Sequence, residues 1–376
     1  MKLLNLRLTN YRNCKNIELD LDCDKILIIG KNAQGKTNIL ESIYLLSALK
    51  SPRTSNNIEL INFDSEKAEI NSDIIKADTE VELGYVYTNE KTRELKINRV
   101  KSRPKDFKSV LKTVLFSTSD LLLLRGNPSD RRDWLDRAIS QIYPAYDDRL
   151  SKYDKIRIQK NNFLKDLAKG NTFDETLLEV YNEQLAITGS NIIFLRKKFL
   201  KEIEKTAKEK HRIISETEEL KIDYDCSFLN GETELEDIAA KFHESLAERR
   251  IEEIRRCQAC VGPHRDDIIF YINENEATKF ASQGQQRTIV LALKLSELDI
   301  ITDKTGDEPV LLLDDVLAEL DDIRQNYLLK SINDRTQTII TSVDTVLFEE
   351  EFLRGVKIYK IENGAVKQAS FREAPT

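Results

Sequence analysis

The run Gly30-Lys31-Asn32-Ala33-Gln34-Gly35-Lys36-Thr37 constrains this chain more than any other feature. Two glycines with four residues between them, followed by Lys and Thr, form a loop whose backbone N–H groups can surround a phosphate. Lys25 to Ile29, just before it, is a short apolar run of the kind buried in a sheet, and after it Ile39, Leu40, Ile43 and Leu46 recur at helical spacing. Strand, glycine loop and helix in that order put the loop at a helix N-terminus, where the dipole favours negative charge. Gly30 to Thr37 are therefore expected to hold the phosphates of ATP, with Lys36 reaching the β- and γ-phosphates and Thr37 ligating Mg²⁺.

A second element fits the first. Val310 to Leu313 is an apolar strand pattern ending in Asp314 and Asp315. Asp314 is expected in the Mg²⁺ shell beside Thr37, and Asp315 as the group that orients or deprotonates the attacking water. Lys36, Asp314 and Asp315 are thus the catalytic candidates. Ser282-Gln283-Gly284-Gln285 stands before a helical pattern, Gln285 to Leu298, about thirty residues ahead of Asp314. It resembles the signature loop of ABC-type ATPases, in which a serine, a glycine and a helix N-terminus contact the γ-phosphate held by the opposite subunit. That geometry needs a dimer; viewed alone, the loop reads equally well as a polar helix cap.

The rest of the chain supplies context. Alternation in Leu3 to Leu8 and Ile17 to Leu21 reads as strands, and Val81 to Tyr87, a turn near Thr88 to Lys91, and Leu95 with Ile97 read as an antiparallel hairpin. The net charge of −7 does not exclude a nucleic-acid partner, because phosphate binding depends on local patches. Lys91 to Lys108 holds eight basic residues against two acidic ones, and Arg93, Lys96, Arg99, Lys101, Arg103 and Lys105 are the DNA-binding candidates. Further basic excesses run along Arg149 to Lys165 and Arg196 to Lys210. Leu178, Tyr181, Leu185, Thr188, Ile192, Leu195 and Phe199 step by three and four, the seam of a short coiled coil. With the helical pattern before it and Gly170-Asn171 between, they read as an antiparallel hairpin, or equally as helices packed in a globular lobe. Strand patterns return at Ile268 to Ile272, Pro309 to Leu313 and Gln337 to Ile340. Cys257, Cys260 and His264 have the spacing of three metal ligands without a fourth, so two small residues entering a strand are the expectation rather than zinc. No apolar run is long enough to span a bilayer, and the odd number of cysteines without a secretion signal points to reduced thiols and a cytoplasmic protein.

Leu8 to Asn13, the glycine loop with Asn38 to Ile43, Gly262-Pro263-His264-Arg265-Asp266-Asp267, Ser282 to Arg287 and Leu311 to Asp321 together resemble the RecF family, in that order and over nearly the whole chain. The resemblance implies an α/β ABC-type P-loop ATPase head of mixed sheet with flanking helices and an antiparallel lobe, similar to SMC heads, with an inserted all-helical lobe carrying the coiled-coil hairpin. The expected divisions are 1–115, 116–255 and 256–376. It implies a weak, DNA-stimulated ATPase acting as an ATP-dependent homodimer in recombinational repair and replication-fork maintenance: gap binding, recombinase loading, the SOS response, and RecR- and RecO-like partners, with no membrane. Arg12, Asn13 and Asn38 should lie by the nucleotide, Asp321 should cross the dimer interface, Arg131 and Arg132 should lie in the lid of the helical lobe, and Arg53 should contact phosphate. Thr118-Ser119 depart from the family's usual Pro-Glu before Asp120. A non-catalytic head that dimerises on ATP, and a transporter's ATP-binding subunit, are the alternatives.

Overall fold

The computed structural model describes residues 1–169, 174–332 and 336–371. The chain divides into two compact units, one of residues 1–122, 213–215 and 287–376, the other of residues 123–212 and 216–286.

The first unit carries two sheets. One is antiparallel, ordered β3-β2-β5-β6-β7-β8 with β1 on β5; its strands are β1 (Lys2–Leu3), β2 (Asn5–Tyr11), β3 (Cys14–Asp20), β5 (Lys67–Lys76), β6 (Thr79–Thr88), β7 (Arg93–Ile97) and β8 (Val100–Lys101). The alternation seen in sequence is the pleat of this sheet, with one set of side chains in the core and the other in solvent. The second sheet is ordered β16-β15-β4-β14-β13-β9, from β4 (Lys25–Ile29), β9 (Thr113–Ser117), β13 (Val310–Asp314), β14 (Thr338–Ser342), β15 (Val356–Glu362) and β16 (Ala365–Phe371). Its first five are mutually parallel, and β16 closes one edge as an antiparallel strand. Parallel strands are covered on both faces, which is why β4 and β13 are continuous apolar runs rather than alternating ones and why every residue of β14 is buried. The helices of this unit are α1 (Lys36–Ala48), α2 (Pro104–Lys108), most of α9 (Gln283–Thr305) and α10 (Asp322–Ser331).

Strand order and register position the site. β4 lies between β14 and β15, and β14 between β4 and β13; Asp314 is paired with Thr341, and Thr341 with Ile28. The carboxyl ends of three neighbouring strands therefore bring Gly30, Asp314 and Thr341 together, although more than 300 residues separate the first from the last in sequence. That edge is where open parallel sheets bind ligands.

The second unit holds α3 (Pro128–Ile142), α4 (Tyr146–Ala168), nearly all of α5 (Glu175–Ser215), α6 (Leu235–Glu248), α7 (Arg250–Arg256), α8 (Ala277–Phe280), and a three-stranded sheet of β10 (Leu220–Asp225), β11 (Asp267–Ile272) and β12 (Asn275–Glu276). Here the structure differs from expectation. The insertion is not wholly helical, and β11 pairs along its whole length with β10 rather than joining the sheet under the glycine loop. Accordingly the second division falls after 286, about thirty residues beyond the expected 255/256. A strand's partner is a long-range choice, and an apolar run does not encode it.

The coiled-coil seam also changes character. α5 is one helix of 41 residues, roughly 60 Å long, and it buries Ile193, Arg196, Leu200, Ile203 and Ala207 as well as seam positions such as Leu178, Leu185 and Ile192. α4 meets it in antiparallel sense, Arg149 bonding Asn191 and Phe163 meeting Tyr181. Ile193 packs with Ile238 of α6, so α5 serves a lobe and not a two-stranded coil. The Gly170-Asn171 turn lies outside the described residues. Two of the basic runs are thinned by burial: Arg196 is bonded bidentately to Asp136, and Lys160 is fully buried against Glu253 at 2.5 Å. Counting charges along a sequence cannot see that a helix turns some of them inward. No helix among the described residues is long and apolar enough to cross a membrane.

The Lys160–Glu253 pair yields a stability test. Glu253→Ala strands a buried ammonium and is expected to destabilise the protein by about 3–5 kcal/mol, whereas the double variant Lys160→Met/Glu253→Leu should recover most of that loss. Urea unfolding of the single and double variants measures both.

Candidate nucleotide-binding site

The glycine loop runs from the end of β4 to the first turn of α1. Gly35 has φ +108, and a Cβ there would come within 2.8 Å of the Asn13 side chain; at Gly30 a Cβ would lie 2.5 Å from the Ile361 carbonyl oxygen. Both glycines are thus required by close approach, and Gly35 by backbone conformation too. Ala33, φ 64, also takes the left-handed region, and it lies with Lys31 and Asn32 on the exposed tip.

Lys36 is 3% exposed, and its ammonium donates to the Gly30 carbonyl oxygen at 2.7 Å, across the mouth of the loop. The Asp315 carboxylate is 3.6 Å from the same ammonium. The next residue, Thr37, donates its hydroxyl to Asp314 Oδ1 at 3.0 Å, and Thr341 donates to the same oxygen at 2.9 Å. The Thr341 hydroxyl also accepts the Asp315 amide at 2.8 Å, so one side chain aligns both acids. Burial raises the Asp314 carboxyl above its ordinary range; the two hydroxyls and the more distant Arg53 oppose this, and the neighbouring Asp315 adds to it. A cation placed beside Asp314 and Thr37 would reverse that penalty, and a carboxylate with a hydroxyl is the hard-oxygen donor set that Mg²⁺ takes.

Arg12, φ 53, grips Glu41 of α1 with two bonds, Nε to Oε2 at 2.9 Å and a terminal nitrogen to Oε1 at 2.7 Å. Burial works against the Arg12 charge, yet the Glu41 bonds outweigh it and raise its pKa above the usual value. Glu41 also accepts from Ser51 and Arg53, while Arg53 donates to Asn38 Oδ1 at 2.7 Å. Asn13 Oδ1 accepts from Asn38 Nδ2 at 2.7 Å beside Gly35. The structure therefore brings Arg12, Asn13, Asn38 and Arg53 together around the start of α1, with the two arginines converging on Glu41.

Three contributors have no role in the expectations drawn from the sequence. Glu41, with Ser42, interrupts the apolar run from Ile39 to Leu46, and that anomaly was its signal. Thr341 had none beyond its place after a buried strand. Asn363-Gly364, φ 50 and 71, is the two-residue turn of the β15–β16 hairpin, and an Asn-Gly pair is the usual mark of such a turn. The Gly364 amide donates to the Gln34 carbonyl oxygen at 2.9 Å, and the Asn363 amide to Gln34 Oε1 at 2.7 Å, so this hairpin holds the glycine loop by its backbone.

Ser282 and Gln285 cap α9 reciprocally: the Ser282 hydroxyl accepts the Gln285 amide at 3.2 Å, and Gln285 Oε1 accepts the Ser282 amide at 2.7 Å. This is a capping box, with Gly284 inside its first turn. Asp321 caps α10, accepting the Arg324 amide at 3.0 Å, and is exposed. Arg131 pairs with Asp267, and Arg132 donates to the Asp266 carbonyl oxygen. Asp120 accepts from the amide and hydroxyl of Ser117, whose hydroxyl also bonds that of Ser119, and pairs with Lys294. Among the DNA-binding candidates, Lys96, Arg99 and Arg103 pair with Glu94, Glu82 and Asp106, and Arg93 bonds the Leu49 carbonyl oxygen. Lys101 and Lys105 are exposed and have no ion pair among the described residues. Both nitrogens of His264 face protein groups, the Tyr153 hydroxyl at 2.7 Å and the Ala259 carbonyl at 3.3 Å.

The family of RecF, RecN and SMC N-terminal domains matches residues 2–367. Over 369 residues the chain is 39% identical to the DNA replication and repair protein RecF of Bacillus subtilis (strain 168), covering 97% of this chain and all of that one. It is 40% identical, with the same coverage, to the protein of that name from Staphylococcus carnosus (strain TM300). The chain belongs to the RecF family. A solved RecF-ATP structure, of a recombination mediator protein in the RecFOR pathway, is 35% identical with a TM-score of 0.89 over 97% of both chains. An SMC head bound to the C-winged helix domain of ScpA, at 13% identity and a TM-score of 0.56 over 99% of this chain and 98% of that one, shares the fold. The ABC-type head expected from the RecF resemblance is therefore the fold that these proteins share with this chain.

Replacing Gly364 by Ala would drive a Cβ to 2.2 Å from the Asn13 carbonyl oxygen, and a non-glycine residue is strained at that φ. In hydrogen-exchange mass spectrometry, Gly364→Ala is expected to speed exchange of the loop amides Asn32 to Lys36 several-fold while leaving β4 protected.

Proposed function

We propose that this RecF-family chain is an ATP-binding, DNA-binding ATPase of recombinational repair, in which two copies close face to face around two nucleotides. The observation that carries the reading is the convergence of the Lys36 ammonium, the Thr37–Asp314 pair and Asp315 at the mouth of one glycine loop. Relatives named as DNA replication and repair proteins, and a RecF-ATP structure at 35% identity, support it.

Each residue has a distinct task. The loop amides from Lys31 to Gly35 receive the β-phosphate, and Lys36 exchanges the Gly30 carbonyl for phosphate oxygens. Thr37 and Asp314 would hold Mg²⁺, which supplies charge neutralisation between the β- and γ-phosphates. Asp315, aligned by Thr341, orients the attacking water; an Asp is a short base, consistent with slow turnover. Ser282, Gly284 and the Gln285 end of α9 contact the γ-phosphate of the partner copy, with Asp321 across the interface. Those contacts exist only in the closed pair, and such differential contact lets nucleotide shift the equilibrium. DNA bridging both copies, through Lys101, Lys105 and their neighbours, would tighten nucleotide binding reciprocally. Gap binding, recombinase loading, a part in the SOS response, RecO- and RecR-like partners and a cytoplasmic location follow from the same reading.

The alternative is a head that closes on ATP without hydrolysing it. ATP turnover with and without DNA separates the two: stimulation by DNA is expected, and absence of turnover in both conditions leaves the non-catalytic head.

The decisive experiment is sizing of the protein with and without ATP, Mg²⁺ and an oligonucleotide; a species of twice the mass is expected only with nucleotide, and a single copy under saturation would refute the clamp. Lys36→Arg should keep some nucleotide binding and lose turnover, and unchanged turnover would remove its assigned role. Lys101, Arg103 and Lys105 changed together to Glu should weaken DNA binding and flatten its salt dependence, measured by fluorescence anisotropy at several salt concentrations.

A further inference from the structure

None of the groups described at the glycine loop comes from the run Gly262 to Asp267, one of those that carry the RecF resemblance. This run lies in the second unit, where Gly262 (φ +123) is pressed so tightly that a Cβ would fall 2.3 Å from the Tyr153 hydroxyl. The turn that follows carries His264 and Arg265 into the wall of a polar cleft of about 450 Å³, which Ser129, Arg132, Arg157 and Gln258 also line.

Four arginines line this cleft, and they are not equally engaged. Arg196, at its base, is spent: it holds Asp136 with two bonds of 2.9 and 2.8 Å and donates to the Pro263 carbonyl oxygen. Arg157 gives Nε and one terminal nitrogen to Asp154, leaving the other terminal nitrogen. Arg132 donates only to the Asp266 carbonyl oxygen, and Arg265 is exposed with no side-chain bond or ion pair among the described residues. Of the lining acids, Asp136 and Asp154 are taken by these arginines, and Asp133 stands beside Arg132. His264 adds no charge. The Ala259 carbonyl only accepts, so the ring proton sits on Nε2 and the Tyr153 hydroxyl donates to Nδ1. Burial, aided by the charges of Arg157, Arg265 and Arg132 and opposed by the Ala259 bond, takes its pKa down to about 3. The same three arginines share the wall of one cleft with this imidazole.

We propose that this cleft is a phosphate-binding site, in which the free donors of Arg132, Arg157 and Arg265 grip the oxygens of one phosphate group, carried by a nucleic-acid strand or by a free phosphate ligand. Guanidinium forks match phosphate oxygens in pairs, and the four arginines of the cleft wall outnumber the three carboxylates that line it, with Asp266 and Asp267 also acting on Arg132. The cleft has room for the phosphate and part of what bears it. The site is independent of the glycine loop, since every lining residue belongs to the second unit.

The test uses the full chain with saturating ATP and Mg²⁺, so that the glycine loop is filled throughout and the closed pair that takes up DNA can form. Arg157→Lys/Arg265→Lys keeps both charges and removes both forks; Arg265 has no internal bond and Arg157 bonds only one turn back, so the variant should melt at the wild-type temperature without ligand. Two probes are read: the thermal shift given by inorganic phosphate against chloride at equal ionic strength, and the anisotropy of a labelled oligonucleotide. A wild-type shift with phosphate that the variant loses supports the site with free phosphate as sufficient ligand. No phosphate shift, but roughly tenfold weaker oligonucleotide binding by the variant, supports it with the phosphate of a strand. Equal behaviour of wild type and variant with both probes overturns the proposal and leaves a solvated basic rim.

Discussion

An ammonium group excluded from water must have oxygen partners, and the head is arranged to give the Lys36 ammonium its partners at one place. It bonds the carbonyl at the start of its own loop and faces the carboxylate of Asp315, which a different strand delivers. A buried cation left without such groups would cost several kcal/mol. Gly30 and Gly35 are needed because Ile361 and Asn13 press against the loop backbone, and the β15–β16 turn holds the loop through two amides on Gln34. The loop thus inherits its geometry from both edges of β4.

Parallel pairing carries that constraint across the sheet. Because β4, β14 and β13 end level, their last residues share one edge, and the Thr341 hydroxyl bridges Asp314 to the Asp315 amide. Asp314 is placed by strand register, which fixes it to within the precision of a packed sheet; Asp315, one residue past β13, turns through the left-handed region with φ 50, its amide held by Thr341. Around them the Arg12–Glu41 pair ties the antiparallel sheet to α1, so the two sheets of the first unit meet at the same helix.

Charge is handled differently in the second unit. There Lys160, Arg196 and Arg131 turn inward to Glu253, Asp136 and Asp267, and these pairs stitch helices to one another and to β11. Buried pairs of this kind fix the arrangement of elements more than they add stability. Arg265, on the Gly262 to Asp267 turn, and Arg132, on α3, stand apart from that pattern: Arg265 has no ion pair among the described residues, and Arg132 bonds a backbone carbonyl of that turn.

The chain's own sequence determined the glycine loop, its flanking strand and helix, the acid-ended strand, the Ser282 cap and the hairpin before the basic cluster. All of these are local: a few adjacent residues with fixed spacing specify the backbone, and the pattern of burial follows with a period of two or of 3.6. Tertiary structure alone decided that β11 belongs with β10, that the seam of α5 is one side of a wider buried face, and that Arg196 and Lys160 lie inside rather than on a basic surface. It also decided that Thr341, Glu41 and Asn363-Gly364 complete the site. Each of these depends on which distant segment packs alongside, a choice made by the burial and pairing of the whole chain, and no window of the sequence contains both partners.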